Sequence, residues 1–178
     1  MEWNEQGIIK ACQKQSKEAQ KYLLDKYKNK FLGICLRYID NQEAAEEILM
    51  DSFMTIFQKI KDYKDNSFEG WMKTIVIHKA IDYYRKHKND PIISNIENEE
   101  WRAPKKHQNN SLATQDLLNM LATLPTGYKM VFNLFAIEGY SHKEIAEQLG
   151  VSVNTSKTQY HKAKLKLQEL LKKGGYHG

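Results

Sequence analysis

The sequence predicts an all-α protein: two small helical domains joined by a flexible linker, the second carrying a helix-turn-helix. Three observations predict it. The first 88 residues contain no proline and repeat apolar residues at three- and four-residue spacing. The composition then shifts over 89–111, where two of the three prolines and many Asn and Glu residues break the periodicity. Further on, residues 140–155 read "YSHKEIAEQLGVSVNT", two helix caps on either side of one glycine.

The first segment, from Ile8 to about Tyr38, suits two helices. The next runs from Gln42 to Ile60, with Ala45, Ile48, Leu49, Phe53, Ile56 and Phe57 on one face. A further helix is expected from about Phe68 to His87, with Trp71, Ile75, Ile77, Ala80, Ile81 and Tyr84 as its apolar line. Asn66 or Ser67 can cap it, and Gly70 falls in its first turn.

These helices define a first domain, residues 1–88. Residues 89–111 form the linker, and 112–178 the second domain. A stretch of the linker's length is unusual within one compact domain and ordinary between two. Residues 1–88 hold 16 Lys and Arg against 13 Asp and Glu, and residues 113–178 hold 8 against 5. Two positive modules therefore flank a slightly acidic tether, whose centre reads "NIENEE".

In the second domain, "ATQDLLNMLATL" is a helix ended by Pro125, and "GYKMVFNLFAIEG" is the next, stopped at Gly139. Ser141 and Glu144 make an S-x-x-E capping box, so a short helix starts at His142 with Ile145, Ala146 and Leu149 inward. Gly150 can take the left-handed conformation that ends it. Ser152 caps a final helix from Val153 to about Leu171. Two helices so closely spaced around a glycine make a helix-turn-helix.

On the last helix, Ser156, Tyr160, Ala163 and Leu167 recur at core spacing. Asn154, Lys157, Thr158, His161, Lys162 and Lys164 are left outward. Such a face can enter a major groove, where Asn pairs with adenine, Lys reaches guanine and Thr touches a thymine methyl. Lys162 and Lys164 can equally hold phosphates. The plainer alternative is a helical hairpin with a solvated lysine face.

In the first domain, "FEGWMKTIVIHKAIDYYRKHK" interleaves Trp71, Tyr83 and Tyr84 with Lys73, Lys79, Arg85, Lys86 and Lys88. Aromatic and basic residues together can stack bases and hold a backbone; the alternative is that the aromatics are core. Glu43, Glu46, Glu47 and Asp51 gather on the preceding helix. There they complement the helix dipole or offer a docking face to a basic protein.

Other classes find no support. Hydrophobic residues make up 41% and charged residues 28%, a folding composition, and the formal charge of +5 suits a polyanionic partner. No apolar run reaches the 18 or so residues of a membrane span, and the N-terminus lacks a signal-peptide pattern. Cys12 and Cys35 form neither a disulfide framework nor a zinc cluster. A reducing, cytoplasmic setting follows. The six histidines make no metal motif, no glycine-rich phosphate loop occurs, and no nucleophile has an identifiable base. A binding protein without cofactor or metal is expected, not an enzyme. Without a heptad seam it is expected to be a monomer when free.

Three blocks together resemble the extracytoplasmic-function (ECF) sigma factors, the small bacterial transcription initiation factors. "DNQEAAEEILMDSFMTIFQKI" is similar to the family's core-polymerase-binding helix, "FEGWMKTIVIHKAIDYYRKH" to its minus-10 element, and "LPTGYKMVFNLFAIEGYSHKEIAEQLGVSVNTSKTQYHKAKLKLQEL" to its minus-35-binding domain. The resemblance implies that Glu46, Glu47, Met50 and Asp51 grip core RNA polymerase. It implies that Trp71, Lys73, His78, Lys79, Asp82, Arg85 and Lys86 surround the single-stranded minus-10 promoter DNA. The helix from Val153 would read the duplex minus-35 element, through Asn154, Lys157, Thr158, His161, Lys162 and Lys164. It also implies an anti-sigma factor as a possible partner. The chain departs from the family where Met50 stands for a common Gln, Asp51 for Glu, His78 for Asn, Ser156 for Val and Lys162 for Arg. Lysine lacks arginine's rigid fork, so a bidentate base contact at 162 does not carry over. The competing readings are a conventional helix-turn-helix repressor or activator acting outside the polymerase holoenzyme, and a scaffold whose modules bind protein only.

Overall fold

Four helices account for the first part of the chain. The computed structural model describes residues 3–64, 67–88 and 112–173, and every regular element among the described residues is helical. The expected linker, residues 89–111, lies outside the described residues. The chain divides into two compact units, residues 1–82 and 83–178, and the border falls inside the fourth helix.

Helix α1 (Glu5–Gln13) opens on Asn4, whose side chain accepts from the Gly7 N–H at 2.7 Å. Helix α2 (Lys17–Tyr38) opens on Ser16, accepting from Ala19 N–H at 3.3 Å. Between them Gln15 takes φ 63°, and its N–H bonds back to the Cys12 carbonyl. Helix α3 (Gln42–Lys59) opens on Asn41 and tightens at its end into a 3₁₀ turn, Ile60–Asp62. Helix α4 (Phe68–His87) starts at Ser67, whose Oγ accepts from Gly70 N–H at 3.1 Å. Each cap satisfies a backbone donor that has no partner inside its helix. A Cβ on Gly70 would lie 3.1 Å from Ser67 Oγ, so the glycine leaves this cap room.

The buried side chains of this unit include Leu23, Phe31 and Cys35 of α2, Leu49, Phe53 and Ile56 of α3, and Ile60. Stacked and tilted rings run from Tyr27 through Phe31 and Phe53 to Phe57, tying α2 to α3. An exposed Lys30–Glu69 ion pair links α2 to α4.

On α4 the buried line is Phe68, Met72, Val76, Ile77, Ala80 and Ile81. The apolar line expected from sequence is centred on Trp71, Ile75 and Tyr84; these three are only half-buried. Residues 72, 76 and 80 repeat at i, i+4, and a helix turns about 100° per residue, so Trp71 falls off the core axis. Its ring instead packs against Tyr63 at 5.3 Å and Phe68 at 5.9 Å.

The second unit continues with α5 (Leu112–Ala122) and α6 (Thr126–Phe132) on either side of Pro125. Helix α6 does not run straight to Gly139. It widens into a π-turn, Asn133–Ile137, in which Glu138 N–H reaches the Asn133 carbonyl at 3.0 Å. Gly139, at φ 79°, then breaks the helix. Helices α7 (His142–Leu149) and α8 (Val153–Lys173) complete the fold. Leu121, Leu124, Ala163 and Leu167 form a buried cluster, against which Met120, Tyr128, Phe132 and Leu170 pack.

Candidate nucleic-acid interface

Helix α7 is set by its ends. Ser141 Oγ accepts from Glu144 N–H at 3.3 Å, and the Glu144 carboxylate accepts from Ser141 N–H at 2.8 Å. It also accepts from the Ser141 hydroxyl at 2.7 Å. These bonds, the hydroxyl first, hold the exposed Glu144 carboxyl below its usual pKa. At the other end Gly150 adopts φ 67°, ψ 42°, and both its N–H and that of Val151 point to the Ala146 carbonyl. Ser152 Oγ then caps α8 by accepting from Thr155 N–H at 2.9 Å.

Four rings fix how α8 meets α7. His142 stacks on Phe135 at 4.2 Å with 12° between planes, and Tyr160 meets Phe135 at 4.6 Å and Phe132 at 6.1 Å. His142 Nδ1 is 2.9 Å from Oγ of Ser156, which is fully buried. Burial, and then the charge of Lys157, lowers the His142 pKa, which favours the neutral imidazole beside a buried hydroxyl. Serine at 156, unusual for the resembled family, thus has a specific partner.

The buried face of α8 is Ser156, Ala163 and Leu167, with Tyr160 half-buried among them, as its spacing implies. Asn154, Lys157, Thr158, His161, Lys162 and Lys164 are all exposed. The structure adds residues that α8's own periodicity does not single out. Tyr128 of α6 lies beside α8, with Lys162 Nζ 6.0 Å from its ring centroid, and Thr155 and Gln159 border the same face. No signal within α8 points to Tyr128, because it comes from another helix.

Along α4, Trp71, His78, Asp82 and Arg85 recur at i, i+7, i+11 and i+14, on the side away from Met72, Val76 and Ala80. His78, Asp82, Arg85 and Lys86 are exposed; Trp71 and Lys79 are half-buried. Lys73 falls about 140° around the helix from His78, on the core side, and is half-buried. The helix therefore gathers six of the seven expected residues on one side and sets Lys73 apart.

On α3, Glu46, Glu47, Met50 and Asp51 are exposed within an arc of about 140°. Met50 is 49% exposed, and Met54, within the same arc, 57%. The face is thus two methionines rimmed by carboxylates, a mixed apolar and acidic surface suited to docking. Among the described residues no group of His, Cys, Asp and Glu is arranged to hold a metal ion. No described helix is long and apolar enough to cross a membrane.

Residues 23–89 match the family described as Sigma-70 region 2, and residues 114–167 match Sigma-70, region 4. The chain is 26% identical over 156 residues to the ECF RNA polymerase sigma factor SigE of Mycolicibacterium smegmatis. That alignment covers 85% of this chain and 61% of the relative's length. It is 27% identical over 177 residues to the ECF RNA polymerase sigma factor SigW of Bacillus subtilis, covering 92% of this chain and 95% of that one. A solved structure with a similar fold is the sigma factor RpoE of Bartonella quintana, in a co-crystal with the anti-sigma factor NepR. Its TM-score is 0.53 at 22% identity, over 85% of this chain and 96% of that one.

Proposed function

The chain belongs to the extracytoplasmic-function sigma factor family, and on that premise we propose that it directs core RNA polymerase to specific promoters and helps open them. The observation that carries the reading is the pairing, in one chain, of a region 2 match with a helix-turn-helix under a region 4 match. A repressor or activator acting outside the holoenzyme has use for the second but none for the first.

In this reading residues 1–88 bind core polymerase and the minus-10 strand, 89–111 link, and 112–178 bind the minus-35 duplex. Core polymerase docks on the methionine and carboxylate face of α3: Glu46, Glu47, Met50 and Asp51. The exposed side of α4, with Trp71, His78, Lys79, Asp82, Arg85 and Lys86, attends the unpaired minus-10 strand. A base leaving its stack there costs a few kcal/mol, offset by stacking and hydrogen bonding in the protein. Helix α8 enters the minus-35 major groove, where each good bidentate pair contributes about 1–3 kcal/mol of discrimination. Joining two modest DNA contacts through polymerase raises their effective concentration, so the free protein binds promoter weakly. An anti-sigma factor is a proposed partner, and the cytoplasm the proposed place of action. The chain supplies binding and positioning; catalysis stays with the polymerase.

The test is reconstitution. Purified chain is mixed with bacterial core polymerase and challenged with a pool of promoters. Stable association and initiation at a fixed distance from a common upstream element support the proposal. Tight binding to duplex DNA without affinity for core would replace it with the repressor or activator reading.

A further inference from the structure

An open cleft of about 380 Å³ lies where the first turns of α8 pass α6. It is lined by Tyr128, Asn154, Thr155, Thr158, Gln159 and Lys162, and no carboxylate is among them. Lys162 Nζ sits over the Tyr128 ring at 6.0 Å, the outer edge of cation–π attraction. The exposed ammonium of Lys162 thus lies beside α6. Gln159 lies directly over Gly127: a Cβ there would come within 3.0 Å of Gln159 Nε2, so the glycine lets the amide settle against α6. Among the described residues, no hydrogen bond within the protein takes up the Tyr128 hydroxyl or the Gln159 amide. A cation, a phenol and an amide thus converge on a cleft free of negative charge, beside the helix face that meets DNA.

Building on the promoter-binding function above, we propose that this cleft seats a backbone phosphate of the promoter duplex, held by Lys162, Tyr128 and Gln159. Lys162 is then a phosphate ligand and not a base reader, and Tyr128 and Gln159 join the DNA interface from the α6 side. A phosphate matches the cleft: it accepts hydrogen bonds and carries the charge Lys162 lacks a partner for in its lining. Bases are read by Asn154, Lys157 and Thr158, and the clamp fixes the register in which they are read.

The test uses reconstituted holoenzyme and a duplex library randomised in the upstream element, with binding measured over a series of salt concentrations. Lys162→Met should weaken binding by the same factor on every sequence. It should also reduce the slope of log K against log salt by about 0.9, the signature of one lost phosphate contact. Tyr128→Phe keeps the ring under Lys162 and removes only the hydroxyl. It should cost roughly tenfold in affinity, as for a hydrogen bond to a charged group, and leave the selected sequence unchanged. Lys157→Met, as a contrast, should flatten preference at one position. A Lys162→Met loss confined to one base pair, or an unchanged salt slope, would overturn the clamp while leaving the sigma factor reading intact. If the wild-type holoenzyme selected no upstream element, the promoter-binding premise would fall and the clamp with it.

Discussion

Replacing Gly150 with alanine should destabilise the second unit, whereas the same change at Gly33 should stabilise the first. Gly150 holds φ 67°, ψ 42° at the end of α7. An L-residue in the left-handed region costs roughly 1–2 kcal/mol. Removing glycine's freedom from the unfolded chain returns about 0.4–1 kcal/mol. At the middle of both ranges the net loss is about 0.8 kcal/mol, from strain and not from crowding, since a Cβ there meets no atom closer than 3.9 Å. For a unit of this size each kcal/mol moves the midpoint by about 4–8 °C, so the expected fall is about 3–6 °C. Gly33 lies inside α2, and a Cβ there would meet nothing within 4 Å. Alanine at that position should add about 0.5–1 kcal/mol. Thermal melts followed by circular dichroism on the full chain, with fluorescence of Trp3 and Trp71 in a Trp101→Phe background reporting the first unit, separate the two. A Gly150→Ala protein melting at or above wild type would refute the left-handed cap as the hinge of the helix-turn-helix.

The same geometry sets other outcomes. Ser156→Ala removes the buried partner of His142 Nδ1 and should cost about 0.5–1.5 kcal/mol in chemical denaturation; no change in midpoint would mean the bond contributes nothing. The second unit should also lose stability as pH falls. The folded His142 pKa lies below the ordinary 6.5, so the unfolded chain takes the proton more readily. Stability from this group is present above 6.5 and is lost as pH drops from there through the folded pKa. The ring faces Phe135, Tyr160 and Ser156, with Lys157 as the nearby charge, so His142→Gln should flatten that part of the pH profile. Burial pushes the Cys35 thiol up to about 12 and Cys12 to about 11. Neither should react with an alkylating agent near neutral pH in the folded protein, and both should on denaturation; fast labelling of the native chain would contradict their burial.

Much of this structure is local and therefore legible in the sequence. The capping box at Ser141, the left-handed Gly150 and the cap at Ser152 each need only a few neighbouring residues, and all three stand as their spacing implies. The outward set on α8 follows from helical period alone. What the period misses depends on a second element. Ring size draws the expected apolar line on α4 through Trp71, yet Met72 and Val76 are the residues buried. Tyr63 and Phe68 supply the packing that keeps Trp71 at the edge. Likewise Ser156 reads as a small core residue until His142, fourteen positions earlier, is placed against it. Tyr128 joins the exposed face of α8 only because α6 passes beside it.

The π-turn at Asn133–Ile137 sets a phase. It lodges one more residue in the turn than a regular α-helix holds. The five residues of this wide turn rotate the chain about as far as four of a regular α-helix, so deleting one would leave α7 and α8 in nearly the same phase. Forcing the same five residues into a regular α-helix would instead swing α7 and α8 by about 100° relative to α6. Such a chain would keep α6 and point α8 in another direction. The aim of α8 is thus stored ahead of α7, as the width of a single turn.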